Sequence, residues 1–199
     1  TEEMVEDGIP TELIQEIGQP YLEEICESIP PLGEKILLPL QPIKKIRGDT
    51  LGYDEEDFLK LTLDVVKKIA KDKELHITSH PNGNFGILDQ EEIEVKEGQD
   101  IEDIKNSHTV LGMFSMQMII GYLWGRKVAS VQPNLKASDP SPLSRWGVVP
   151  RVEDRKDLIE FMNSPLSSRE ISRREEMLQN FHGSLDRLDK FCANELMSA

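Results

Sequence analysis

The run Thr109-Val110-Leu111-Gly112-Met113-Phe114-Ser115-Met116-Gln117-Met118-Ile119-Ile120-Gly121-Tyr122-Leu123-Trp124-Gly125 is apolar on nearly every side. From Asn106 to Gly125 there is no Asp, Glu, Lys or Arg. A segment hydrophobic all round is suited to a buried position, and the length predicts a central buried helix over about 109–125. A span of about 20 residues is long enough to cross a bilayer. Here, however, Asn106, Ser107, His108, Thr109, Ser115 and Gln117 dilute it, so no membrane span is expected. Met113, Met116 and Met118 read as core filler, the usual use of a flexible thioether.

Upstream lies the stretch from Leu75 to Asp89, LHITSHPNGNFGILD. His80-Pro81-Asn82-Gly83-Asn84 fits a turn in which proline presets the first corner and glycine takes the left-handed position. A three-residue bulged loop places Leu75, Ile77, Phe85 and Ile87 on one face and His76, Thr78 and His80 on the other. The expectation is a β-hairpin at about 74–89, with a third strand near 92–96 where Ile93 and Val95 alternate with charges. On such a strand His76 and His80 stand about 13 Å apart, too far for one metal ion with ~2.0 Å bonds to nitrogen. Between Asp89 and Asp103 eight acids face the single Lys96. Their order does not follow the calcium-loop pattern, and a solvated acidic face is expected.

The helix "DEEDFLKLTLDVVKKIAKDK" has Asp54 as cap, acids in its first turn and lysines at its end. Phe58, Leu61, Val65, Val66 and Ile69 form its apolar stripe. Before it, "KILLPLQPIKKIRGDTLGY" (35–53) carries Pro39 and Pro42, which argue for a linker or edge strand. Residues 132–152 form a long loop with Pro133, Pro140, Pro142 and Pro150, and Trp146 inside it.

Both ends of the sequence are amphipathic. Residues 1–34 hold ten acids and no Lys or Arg, with prolines that restrict helices to short pieces. Ile9, Leu13, Ile14 and Ile17, then Tyr21, Leu22, Ile25, Cys26 and Ile29, recur at helical spacing. At the other end Ser167 and Glu170 make a capping box. Ile171, Leu178, Phe181, Leu185, Leu188 and Cys192 follow as a heptad seam, interrupted at Arg174.

The organisation expected is an acidic arm (1–34), a linker or edge strand (35–53), an α+β core (54–165) and a C-terminal helix (166–199). The fold class is α+β, predominantly helical. The net charge of −14 works against nucleic-acid binding. A local patch of Arg126, Lys127, Lys136, Arg145 and Arg151 is the one basis for that class. Cys26 and Cys192 have no metal or redox spacing, and together with the absence of a visible leader they suggest an intracellular, cytoplasmic setting. No nucleotide-loop or hydrolase signature is present, and no cofactor, metal or catalytic residue is expected from the motifs.

The function expected on these grounds is a non-enzymatic interaction or assembly module, a scaffold or adaptor. It would bury Ile9, Leu13, Ile17, Tyr21, Leu22 and Ile25 of the arm, Trp146 of the loop, and Leu178, Phe181, Leu185 and Leu188 of the seam. Its partner would be a protein with a basic surface or a second copy of the chain. The rival readings are an enzyme whose site joins distant residues, such as His80 or His108 with acids from 89–103, and a nucleic-acid binder.

Overall fold

A computed structural model describes residues 2–6, 8–79, 95–97 and 100–198. In chain order the helices are α1 (Glu2–Glu6), α2 (Pro20–Cys26), α3 (Ile43–Arg47), α4 (Glu55–Ile69), α5 (Asp100–Lys105) and α6 (Met116–Leu123). They continue with α7 (Pro142–Arg145), α8 (Arg155–Asn163), α9 (Ser168–Phe181) and α10 (Ser184–Ser198). The strands are β1 (Lys35–Leu40), β2 (Leu75–Ser79), β3 (Val95–Glu97), β4 (Ser107–Gly112), β5 (Lys127–Val131) and β6 (Arg151–Val152). The residues fall into two compact units, one from Pro30 to Arg174, the other formed by those up to Ile29 and those from Glu175.

The larger unit is built on one sheet with strand order β3-β2-β1-β4-β5-β6. Every neighbouring pair runs parallel. Parallel strands cannot be joined by tight turns, so each connection is a crossover. Such sheets are covered on both faces, and their strands read as continuous apolar runs. The "ILLPL" of β1 and the "KVASV" of β5 are buried throughout. Alternation along the strands then divides the core between two faces. Ile36, Leu38, Leu111, Ala129 and Val131 pack with Phe58, Leu59, Val65 and Val66 of α4 and Leu158 and Phe161 of α8. Full burial of a Phe or Leu side chain is worth roughly 1.5–3 kcal/mol. Toward α6, the alternate residues Val110 and Val128 press against Gly121, where an added Cβ would lie 2.9 Å from Val110 Cγ2.

These facts correct the helical α+β expectation. The run 109–125 is a strand followed by a helix: β4 ends at Gly112 and α6 begins only at Met116. A continuous apolar segment suits an inner parallel strand as well as a buried helix, which is why periodicity alone misled. The antiparallel hairpin is also corrected, since β2 lies between β1 and β3 and pairs parallel with both. Its second arm, with Phe85 and Ile87, lies outside the described residues. A strand near 92–96 is present as β3. Lys35–Leu40 is an interior strand rather than an edge. Its rungs with β4 involve Lys35, Ile36 and Leu37. Beyond them the Pro39 ring lies beside Gly112, 3.2 Å from where a Cβ would stand.

Local signals hold where they were chemical. Asp54 accepts the N–H groups of Glu56 (3.0 Å) and Asp57 (3.1 Å), and the Asp57 carboxylate accepts the Asp54 N–H at 3.4 Å, a reciprocal cap on α4. Ser167 and Glu170 cap α9 in the same way.

In the smaller unit, the Glu23 carboxylate of α2 accepts the N–H groups of Gly183 and Leu185 at the start of α10. Arg187 donates to Ile17 O (2.8 Å), and to His182 O (2.8 Å) and Asn180 O (3.0 Å) where α9 ends. Gly183, at φ +75°, divides the expected continuous C-terminal helix into α9 and α10.

Candidate functional site

After β1 the chain turns toward β2 and β3; it then returns to lay β4 on the other side of β1. Between β1 and β4 the strand order reverses, and in open parallel sheets ligands bind at such a point, beyond the carboxyl ends of the strands. Two loops meet there. Gln41 follows β1, and its Oε1 accepts the Phe114 N–H at 3.2 Å. Met113-Phe114-Ser115 follows β4 and opens α6 with Ser115 as an extended N-cap (φ −78°, ψ 157°) whose side chain makes no capping bond. The Ser115 Oγ is buried and has no hydrogen-bond partner among the described residues. First-turn N–H groups of a helix lack intrahelical acceptors, and the helix dipole adds positive potential. The arrangement suits an anion, phosphate above all.

Beside it, the end of β5 carries a buried polar cluster. Ser130 Oγ donates to Met113 O at 2.5 Å, tying β5 to the loop after β4. Gln132 Nε2 donates to Ser130 Oγ and to Asp139 Oδ1, both at 2.7 Å. Asp139 further accepts the Ser141 N–H (2.8 Å) and the Ser144 hydroxyl (2.6 Å), and Arg151 Nη1 stands 3.8 Å from its Oδ2. Gln132 Oε1 and the hydroxyl of Tyr53 are buried with no hydrogen-bond partner among the described residues. Burial first, and then the Asp139 charge, push the Tyr53 phenol far above its ordinary pKa, so it stays protonated. The loop before Tyr53 is held against the loop after β5 by Lys136 N–H to Leu51 O at 2.9 Å. Gly52, at φ +82°, makes that approach possible, since a Cβ there would lie 2.9 Å from Asn134 O.

At the amino ends of the strands two buried cations tie the loops together. Arg126 donates to Ile104 O, Pro30 O, Trp124 O, Pro31 O and Lys105 O. Lys127 Nζ donates to the carbonyls of Phe161, Met162 and Ser164, ending α8. His108, half-buried on β4, shares a 2.8 Å hydrogen bond between Nδ1 and Thr109 Oγ1. Desolvation, then Lys73, Lys127 and Arg126, hold its pKa below the ordinary imidazole value. Cavities of about 650 Å³, beside Val148–Val152 and Phe161, and about 450 Å³, beside His108 and Lys127, lie at this end.

Of the residues expected to carry function, those of the arm and the seam belong to the smaller unit, where α2 packs against α10, and Trp146 belongs to the larger. Leu22 is buried (3% exposed), whereas Tyr21 and Leu185 are 49% and 56% exposed. Ile9 is exposed, and Ile17, Ile25, Leu178, Phe181 and Leu188 are half-buried; the Leu13 side chain lies outside the described residues. Trp146, 53% exposed, ends α7 in the other unit, and Arg173 donates to its carbonyl at 3.0 Å. The basic patch dissolves as well. Arg126 and Lys127 are buried and turned to carbonyls, leaving only Lys136, Arg145 and Arg151 at the surface. His108 lies at the amino end of β4, opposite the loops after β1 and β4, and His80 and Asp89–Glu94 lie outside the described residues. His76 pairs instead with Asp103, Nε2 to Oδ1 at 3.0 Å. Among the described residues no group of three or more His, Cys, Asp or Glu could hold a metal ion. No helix among them is long and apolar enough to cross a membrane.

Sequence reasoning missed Ser115, Gln132, Asp139 and Tyr53. Had 107–123 been read as strand, loop and helix, Ser115 would have stood out as an N-cap serine. Gln132 and Asp139 carry no comparable signal.

No family model matches this sequence, and no curated protein is detectably similar to it. Solved structures do share the fold. The UDP-GlcNAc 2-epimerase of Methanocaldococcus jannaschii, solved with UDP-GlcNAc and UDP, aligns over 89% of this chain and 58% of its own, at 15% identity and a TM-score of 0.57. The calicheamicin glycosyltransferase CalG4 aligns over 83% of this chain and 43% of its own, at 12% identity and TM-score 0.52. The glycosyltransferase SnogD from Streptomyces nogalater gives 83%, 46%, 9% and 0.50 in the same order. This chain therefore spans less than two thirds of the length of each. These neighbours, an epimerase and two glycosyltransferases, stand against the expectation of a non-enzymatic scaffold or oligomerisation module; what this chain shares with them is the parallel-sheet fold.

Proposed function

We propose that residues 30–174 bind a nucleoside-diphosphate sugar in the crevice between β1 and β4, within an enzyme of the glycosyltransferase type. The observation that carries this reading is the amino terminus of α6 placed at the point of strand reversal, with the Ser115 hydroxyl unbonded beside it. The fold neighbours support it, since the epimerase was solved with UDP-GlcNAc and UDP and the two others are glycosyltransferases.

The chemistry follows from charge. When the bond between the sugar and the diphosphate breaks, negative charge builds on the departing phosphate oxygen. Prearranged N–H donors at a helix terminus stabilise such charge without having to reorganise. In this reading α6 and Ser115 hold the diphosphate, Gln41 keeps the loops after β1 and β4 in register, and the Gln132–Asp139 cluster borders the bound molecule.

Calorimetric titration of the chain with UDP-GlcNAc, UDP, CDP and GDP tests it. Ser115→Ala should leave the fold intact, because its Oγ bonds to nothing described. It should weaken diphosphate binding about tenfold, the worth of one hydrogen bond to a charged group. If no nucleotide or nucleotide sugar binds at millimolar concentration, the reading is wrong.

A further inference from the structure

Gln132 is locked in one amide orientation. Its Nε2 faces the Asp139 carboxylate and the Ser130 hydroxyl, both at 2.7 Å. Turning the amide over would set Oε1 against a carboxylate. The Asp139 oxygens already receive Gln132 Nε2, Ser141 N and Ser144 Oγ, so Asp139 needs nothing more. What is left is an acceptor, Gln132 Oε1 (residue 0% exposed), and a hydroxyl, Tyr53 (3% exposed), both buried and unpartnered among the described residues. Buried polar groups are normally hydrogen-bonded, and one left unsatisfied is costly.

Resting on the nucleotide-sugar reading above, we propose that Gln132 and Tyr53 form a hydroxyl-recognising subsite at the carboxyl end of β5. It takes a sugar hydroxyl of the bound nucleotide sugar, on either the ribose or the transferred sugar. A hydroxyl can donate to Gln132 Oε1 and accept from Tyr53, meeting both needs. An anion is disfavoured there because Asp139 and Gln132 present oxygens. A metal cation is disfavoured because Arg151 lies 3.8 Å from Asp139. The phosphate end at Ser115 and the hydroxyl end at Gln132 are linked through Met113, whose carbonyl accepts the Ser130 hydroxyl that in turn accepts from Gln132.

The test pairs Tyr53→Phe with ligand hydroxyls. Wild type and variant are titrated with UDP, 2′,3′-dideoxy-UDP and UDP-GlcNAc, and their thermal midpoints are measured without ligand. The variant should melt no lower than wild type, because only an unbonded hydroxyl is removed. Its affinity should fall about tenfold, one hydrogen bond, for the ligand whose hydroxyl is read. A loss already seen with UDP and absent with the dideoxy analogue assigns the ribose; a loss seen only with UDP-GlcNAc assigns the sugar. Equal binding of all three ligands by both proteins overturns the subsite while leaving the nucleotide reading standing, as does a lower midpoint with unchanged affinity, the mark of a structural water. Absence of binding to wild type overturns the nucleotide reading itself, and the subsite with it.

Discussion

Replacing Arg126 by methionine keeps the length of the side chain and removes its donors. Of its five hydrogen bonds, those to Pro31 O (2.8 Å), Trp124 O (3.0 Å) and Lys105 O (3.0 Å) are well formed, while those to Ile104 O and Pro30 O are longer, both at 3.2 Å. Ile104 O keeps a second partner, the Ser107 hydroxyl at 2.7 Å. Counting only the three good bonds at about 1–1.5 kcal/mol each gives a loss of about 3–4.5 kcal/mol. The guanidinium carbon also lies 5.7 Å from the centre of the Trp124 ring, worth roughly 0.5–1 kcal/mol, while relief from burying a cation works the other way. A net loss of about 3 kcal/mol lowers the melting temperature by about 6–12 °C in a protein of this size. Arg126→Lys, able to reach only some of the carbonyls, should fall between the two. Urea unfolding followed by tryptophan fluorescence measures both variants. If Arg126→Met lies within about 1 kcal/mol of wild type, or Arg126→Lys equals wild type, the Arg126 clamp is not what holds these loops together.

Two further outcomes follow from geometry and charge. Gly33→Ala places a Cβ 2.1–2.6 Å from the backbone of Asn106 and Ser107, which cannot move aside. It should cost about 3 kcal/mol by overpacking, against roughly 1–3 kcal/mol for Gly48→Ala, which meets open space and only backbone strain at φ +57°, ψ −137°; chemical denaturation compares them. In the smaller unit, the N–H groups of Leu185 and then Gly183 hold the Glu23 carboxyl below its usual pKa, with His182 adding to them. A depressed carboxylate stabilises above its unfolded pKa, and its contribution is lost as pH falls through the folded value. The protection factors at Gly183 and Leu185, corrected for the intrinsic pH dependence of amide exchange, should therefore fall below the usual carboxylate range and hold at neutral pH; Glu23→Gln should remove the acid-dependent change.

The legible parts of this molecule were those written in local chemistry. Asp54 and the Ser167–Glu170 pair announce their helices because caps are settled within four residues. The sheet was hidden because its inner strands do not alternate. Val110, Leu111, Val128 and Ala129 are all apolar, since each face of the sheet is covered. Pro39 reinforced the error: prolines are excluded from central ladders, yet this one falls past the rungs shared with β4 and lies beside Gly112. The candidate site was less legible still. Tyr53, Ser115 and Gln132 come from loops after three different strands, and only the sheet order brings them to one edge.

The parallel order of the sheet also governs how it can be assembled. Lys35 of β1 pairs with Ser107 of β4, about seventy residues later in the sequence. On a ribosome, β1 waits about forty residues for β2 and about seventy for β4, and no hairpin can form early to shelter it. Assembly dominated by distant pairings is slow, and unpaired apolar strands invite association with other chains meanwhile. The sequence of β1 answers that hazard with Lys35 at its start, Pro39 near its end, and Lys44, Lys45 and Arg47 just beyond, since charge and proline flanking a sticky strand discourage aggregation. The proline that disguises β1 in the sequence is also the residue type that restrains a sticky strand before its partners arrive.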